Sequence, residues 1–352
     1  MISRILPVVA FAGVALAACP LSVEIAGTNA HIAQVAVTNT GSEAITVFKG
    51  NTVLSEHATK DLLVAGTDGQ MLPFQGAYVN YKRSGLASEM FQTLAPGESV
   101  TASVNAAKTY NLAGVETARI TAVQGFKYVV GSTAPTALKD MQTCADISSS
   151  TVNITPDQSK VADELISKRD APMSRIMKRA VSYSSCSTSQ TSSLKTSVAD
   201  AISMSGAAYT AAASGADDFT TWFRSTSEET KVRSIYTDVK GVQTTSPKIS
   251  CTDIYGDCAD GSALLYTVPR DNTIIPCPNN GFWGFPELAT TCSDDDYDRG
   301  GSILHEMTHL YGTDDYAYGS ADARKLSAAQ AAENADTYEM YAGSVRLGGC
   351  TS

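Results

Sequence analysis

The sequence predicts an α+β protein in two unlike parts. A β-rich region spans residues 20–145, and a mainly helical region with a small sheet runs from residue 180 to the end. Three observations carry this. Short runs in the first region alternate polar and apolar residues with the two-residue period of a strand. The second region replaces them with long stretches of helical spacing. The charge divides at the same place: residues 180–352 carry 11 Lys and Arg against 22 Asp and Glu, net −11, so of the chain's −10 the first 179 residues hold +1. Hydrophobic residues make up 43% of the 352 and charged ones 18%. That balance predicts packed domains, about two at this length, rather than disorder. The acidic field repels nucleic acid and attracts basic peptides, so no nucleic-acid partner is expected.

Along the chain, Met1-Ile2-Ser3-Arg4 precedes an apolar run over residues 5–16, and Ala15-Leu16-Ala17 has the small-x-small form of a signal-peptidase site. Residues 1–17 are therefore expected to be a secretory signal, too short to span a bilayer. Leu16-Ala17-Ala18-Cys19 also resembles a bacterial lipoprotein box, which would lipidate Cys19. No later segment offers about 18 uninterrupted apolar residues, so an extracellular product without a membrane partner is expected. Strands are expected at 32–37, 45–48, 99–104 and 127–130, with turns at 39–42 and 95–98. The pattern reads as a small β-sandwich bracketed by Cys19 and Cys144, which are expected to bridge it. The glycosylation sequon Asn153-Ile154-Thr155 is expected in the linker that follows.

That linker contains Lys168-Arg169 and Lys178-Arg179 with Pro172 between them. Basic pairs in a polar linker are what kexin-type processing proteases cut, and the dibasic site suits a eukaryotic secretory route better than lipidation. Cutting after Arg179 leaves two cysteines upstream and six downstream, each an even set that disulfides can satisfy. The expected division is signal 1–17, a removable region 18–179, and a mature region 180–352. In the mature region, residues 194–213 and 217–239 read as helices. Residues 263–269 and 273–277 read as strands about the turn Arg270-Asp271-Asn272. Residues 298–311 read as a helix stopped by Gly312, and 326–346 as a final helix with Ser327 near its start.

Of four histidines, His31 and His57 lie far upstream, and the other two fall in His305-Glu306-Met307-Thr308-His309. Residues i and i+4 share a helix face, so both imidazoles can reach one metal ion. Glu306 follows the first, where a carboxylate can act on a water that the metal has acidified. The bland alternative is a surface helix with a salt-bridged Glu. Ile303, Leu304 and Met307 argue instead for a buried one. Zinc catalysis needs a third protein ligand and an open position. Asp315, six residues past His309 and beyond Gly312, is the candidate, with Asp314 its neighbour. These residues read as the precursor of a secreted zinc endopeptidase.

His305-Glu306-Met307-Thr308-His309 followed by Gly312-Thr313-Asp314-Asp315-Tyr316-Ala317-Tyr318-Gly319 resembles the aspzincins, the deuterolysin family of fungal metalloendopeptidases, whose signature is HExxH plus GTxDxxYG. The signal, β-rich propeptide, dibasic site and six later cysteines are similar to deuterolysin precursors, as are the segments at 263–269 and 334–338. The resemblance implies a zymogen with a zincin-like catalytic domain, one zinc on His305, His309 and Asp315, Glu306 as general base, and Tyr318 as hydrogen-bond donor to the oxyanion. It implies the pairs Cys186–Cys251, Cys258–Cys277 and Cys292–Cys350. Two departures stand out. The gap from His309 to Gly312 is short, which also fits HExxHxxGxxD, a metzincin-like spacing that needs a Met-turn, and Met340 sits in a helical pattern. The stretch Phe282-Trp283-Gly284-Phe285 lacks a tyrosine that deuterolysins tend to have.

Asp336 and Glu339 are three apart on the last expected helix and share a face. The peptidyl-Lys branch of the family resembles this chain in having that glutamate. The two carboxylates are expected either to form an anionic S1′ pocket for lysine, or to separate into a solvated Glu339 and an Asp336 that only orients a metal-bound histidine. Expected partners are protein and peptide substrates, basic ones favoured, and a kexin-type processing protease, with the enzyme a monomer. Cys144 as a thiolate on the metal is a lesser alternative to its pairing with Cys19. The competing functional class is a secreted binding protein on a dead protease fold.

Overall fold

The computed structural model describes residues 19–165, 180–213, 217–292 and 297–350. The expected signal and both dibasic pairs of the linker lie outside the described residues.

The first region is a β-sandwich. One sheet has the order β1 (Leu21–Asn29), β2 (Ile32–Asn39) and β7 (Ser99–Asn105), all antiparallel. The other is organised on β8 (Ala118–Val130), which pairs with β3 (Ile45–Phe48), β4 (Leu62–Gly66), β9 (Gln142–Ser148) and β10 (Val152–Ile154), while β6 (Phe91–Leu94) pairs with β3. Strict alternation along β8 sends Ala118, Ile120, Ala122, Phe126 and Tyr128 inward to meet Val23, Val35, Val37 and Ile45. Cys19 is bonded to Cys144 across this core, so neither sulfur is left for a lipid or a metal. The sandwich reaches past residue 145. Asn153 of the sequon sits exposed in β10 rather than in a linker, because β8 is long enough to pair three more residues. A short helix, α1 (Val161–Glu164), closes the region.

The second region is helical around a small sheet. Its elements run β11 (Ser182–Ser184), α2 (Thr188–Ala213), α3 (Asp217–Phe223), α4 (Glu229–Lys240), α5 (Val242–Thr245), β12 (Lys248–Ser250), β13 (Ala263–Val268), β14 (Thr273–Pro276), α6 (Arg299–His309), α7 (Ser320–Ala323), α8 (Ala328–Ala331) and α9 (Ala335–Leu347). Disulfides join Cys186 to Cys251, Cys258 to Cys277 and Cys292 to Cys350. No described helix is long and apolar enough to cross a membrane.

Two expected helices are broken. The stretch 217–239 divides at Arg224, whose φ of 63° is left-handed, and Ser225 then caps a new turn through its side chain. The alanine-rich stretch 326–346 divides at Asn334. Its buried amide accepts hydrogen bonds from the Tyr316 and Ala317 N–H groups and donates to the Ala317 carbonyl. Helix propensity yields there to a tertiary demand: Asn334 pins the 313–319 loop. Met340 lies within α9, so no Met-turn forms there.

The two regions are not separate bodies. β5 (Tyr78–Tyr81), from the first, is the edge strand of the second region's sheet, whose order is β11-β12-β14-β13-β5. It lies antiparallel to β13, Val79 opposite Tyr266 and Tyr78 opposite Thr267. A shared core forms beneath it, with Phe48, Val79, Tyr81 and Met141 packed against Tyr255, Ala263, Tyr266 and Ile275.

Candidate metal centre

Helix α6 is short and wholly buried apart from its first residue. Asp298 caps it by accepting from the Gly301 N–H. A Cβ on Gly301 would stand 3.1 Å from Glu339 Oε1 and 2.9 Å from Asp298 Oδ1, so only glycine lets α9 come this close. His305, Glu306 and His309 are buried on this helix, and the rings of the two histidines are 5.0 Å apart. Gly312, at φ 99°, turns the chain back, and hydrogen bonds from Asp314 N to Glu333 O and from Ala335 N to Asp314 O hold the returning loop on α9.

The loop decides between the two aspartates. Asp314 Oδ2 meets Lys60 Nζ of the sandwich at 2.6 Å. Asp315 turns the other way, its Oδ1 3.3 Å from His305 Nε2 and its Oδ2 3.4 Å from His309 Nε2. His309 Nδ1–H donates to the Thr313 carbonyl at 3.0 Å, which leaves the Nε2 lone pair free. Both Nε2 atoms and Asp315 Oδ1 are buried without a hydrogen-bond partner. Orphaned polar atoms are costly when buried, and three converging at one point fit a cation. Ligand atoms of His305, His309 and Asp315 lie within 4.8 Å of one another, a set of two imidazoles and a carboxylate that suits zinc. Burial pushes the Asp315 carboxyl up, but His309 and His305 outweigh it and hold the group well below the usual carboxylate range.

Glu306 faces the same space. Its Oε2 accepts from the Thr267 hydroxyl at 2.7 Å, and its Oε1 is buried without a partner. Burial raises its carboxyl to about 7, against the pull of His305 and His309. Tyr318 lies over His305, ring centroids 6.4 Å apart, and its hydroxyl donates to the Val79 carbonyl at 2.8 Å. Burial and the nearby Asp315 push its phenol far up, so the proton stays on as a donor.

Asp336 and Glu339 stand behind His305. Glu339 Oε2 is 3.4 Å and Asp336 Oδ1 3.6 Å from His305 Nδ1, and Asp336 Oδ2 also accepts from the Gly319 N–H. Both carboxylates contact one guanidinium, that of Arg83 from the sandwich region, which donates to Asp336 and lies 3.3 Å from Glu339 Oε2. Side-chain exposure is 0% for Asp336, 7% for Glu339 and 4% for Arg83, so this is a desolvated cluster. Removing one partner from such a cluster costs about 3–5 kcal/mol. Glu339 is therefore not a solvated helix residue, while Asp336 does lie against the histidine, and both carboxylates touch the histidine and the cation at once.

Other neighbours had no signal in the sequence pattern. Tyr78 stacks on His309 at 4.4 Å with planes 4° apart. Tyr297 lies under the Arg83 guanidinium, 4.4 Å to the ring centre, and donates to the Tyr81 carbonyl. Tyr297 also stacks on Phe285 at 5.0 Å, which brings a phenol to the segment that lacks its own tyrosine. Thr267 did carry a faint signal, as the polar residue in the otherwise apolar β13.

Comparison with known proteins agrees in kind. A family profile described as lysine-specific metallo-endopeptidase (aspzincin M35) matches residues 208–343. A neutral protease 2 homologue of Botryotinia fuckeliana is 31% identical over 340 residues, covering 92% of this chain and 90% of the relative. One from Phaeosphaeria nodorum is 31% identical, covering 93% and 91%, and one from Sclerotinia sclerotiorum 30%, covering 92% and 89%.

Proposed function

We infer the working parts of this protein from one premise: the chain belongs to the aspzincin family and is a zinc metalloendopeptidase. His305, His309 and Asp315 hold a single Zn²⁺. The observation that carries this is the convergence of buried, unpartnered Nε2 and carboxylate atoms from a helix and its return loop. Bound there, zinc supplies Lewis acidity, polarising a carbonyl and acidifying water. Glu306, held at Oε2 by Thr267, uses Oε1 to take the proton of the attacking water and deliver it to the departing amine. Tyr318 donates its hydroxyl hydrogen to the carbonyl oxygen as charge builds there. The test is metal analysis of the processed chain together with hydrolysis of casein. One zinc per chain and chelator-sensitive hydrolysis are expected; bound zinc with no hydrolysis would favour the dead-fold binding protein.

Tyr318→Phe is expected to lower kcat by about 10²–10³-fold with little change in KM, the usual loss for one oxyanion donor. An unchanged kcat would remove Tyr318 from that role.

The substrates are proteins and peptides, and the preferred residue after the cut is lysine, received by Asp336 and Glu339. Support comes from the cluster itself, since two buried carboxylates are stable only beside a cation. Asp336 also orients His305. Glu339→Gln should therefore reduce lysine enrichment at P1′ in a peptide library, and an unaltered profile would defeat the pocket assignment.

The enzyme is made as a secreted zymogen: signal 1–17, propeptide 18–179, and a monomeric mature region 180–352 released by a kexin-type protease at Lys178-Arg179. Each disulfide lies wholly on one side of residue 179, so the cut leaves both pieces cross-linked within themselves. N-terminal sequencing of the secreted product should begin at Ala180.

A further inference from the structure

Resting on the reading above, we propose that residues 78–83 are a built-in substrate mimic, with Arg83 as the plug of the carboxylate pocket. Four features point the same way. β5 occupies the edge of β13, the position where an extended peptide would add a strand beside Glu306. The Val79 carbonyl receives the Tyr318 hydroxyl hydrogen. Tyr78 covers the face of His309. Arg83 places its guanidinium between Asp336 and Glu339 and over Tyr297. Alternation along the strand puts Asn80 on the same face as Tyr78, and its amide is fully buried without a hydrogen-bond partner.

The mimic is out of register with a substrate, which explains how it binds without being cut. In a peptide cleaved before lysine, the attacked carbonyl belongs to the residue just ahead of the cation. Here the carbonyl on Tyr318 is that of Val79, while the cation is Arg83, four residues further on. Lys60 on Asp314 and Lys127 on Asp322 add two more cationic contacts across the same boundary, opposite in sign to the acidic mature region. The docked N-terminal region is thus a competitive inhibitor whose main anchor is the specificity pocket itself, and it outlasts the cut in the linker until it is displaced.

The test uses the full chain carrying an inserted protease site between residues 166 and 179, nicked after purification. On gel filtration the wild-type halves are expected to co-elute. Arg83→Ala should weaken their association by about thirtyfold or more, the low end for truncating one partner of a buried charge pair. Arg83→Lys should retain most of it. Before nicking, Arg83→Ala should hydrolyse a short fluorogenic peptide faster than the wild-type chain. Equal association of the Ala and wild-type halves, with equal silence before nicking, would overturn the proposal. Should Arg83→Ala not accumulate, synthetic peptides of residues 77–86 replace it: inhibition of the processed enzyme that weakens when Arg83 becomes alanine supports the plug, and equal or absent inhibition by both peptides overturns it. The association readout needs no catalysis, so an inactive processed chain would count against the enzyme reading and not against the plug.

Discussion

Glu306→Gln in the processed enzyme should bind zinc normally and lose about 10²–10⁴-fold in kcat, the range for removing a positioned general base. The substitution keeps the shape and the Thr267 hydrogen bond at one end of the side chain, since an amide oxygen also accepts. What disappears is the acceptor for the water's proton. Zinc content should hold because the proposed ligands are His305, His309 and Asp315, and the His309 ring is oriented by the Thr313 carbonyl rather than by Glu306. Metal analysis and steady-state kinetics on the same preparation check this. Turnover near wild type would take Glu306 out of the mechanism, and loss of zinc along with activity would make it a ligand instead of a base.

The paired aspartates give the second large contrast. Asp315→Asn should lower zinc affinity by more than the 10–100-fold typical of losing a partner outside the ligand sphere, and activity should fall with it. Asp314→Asn should keep its zinc. The reason is directional: Asp315 lies 3.3–3.4 Å from both Nε2 atoms, whereas Asp314 points the other way, in the full chain toward Lys60 of the N-terminal region. Zinc per chain after dialysis against a chelating buffer separates the two. If Asp314→Asn were the variant that emptied the site, the ligand set would be wrong.

Both predictions concern residues that sequence alone brought forward, but with unequal sharpness. Histidines four apart with an intervening glutamate are legible because a helix has a fixed period. The choice between Asp314 and Asp315 is not, because a turn has no period, and here it is set by Gly312 and by the anchoring of the loop on Asn334. Four strands of the sandwich, at 32–37, 45–48, 99–104 and 127–130, were legible from alternation, and the hairpin at 263–277 from its turn residues; the others, such as Leu21–Asn29 and Gln142–Ser148, were not read. The breaks at Arg224 and Asn334 were not, because local propensity favours continuous helix in both stretches and is overruled by side chains that serve distant segments. Asp336 and Glu339 were visible as a pair on one face. Their shared partner was not, since Arg83 lies some 250 residues away in the chain.

By itself, then, the sequence determined the two-part α+β architecture, the three residues of the helical motif, the family, and the even division of cysteines about the linker. All of these are local patterns or residue identities. Only the tertiary structure decided that the β-rich part lends a strand to the other part's sheet, that Tyr78 lies on His309, and that Arg83 joins Asp336 and Glu339. Such contacts depend on which surfaces meet after the chain has folded back on itself, and edge-strand pairing draws on backbone groups that every residue carries. A pattern of side chains therefore cannot announce it.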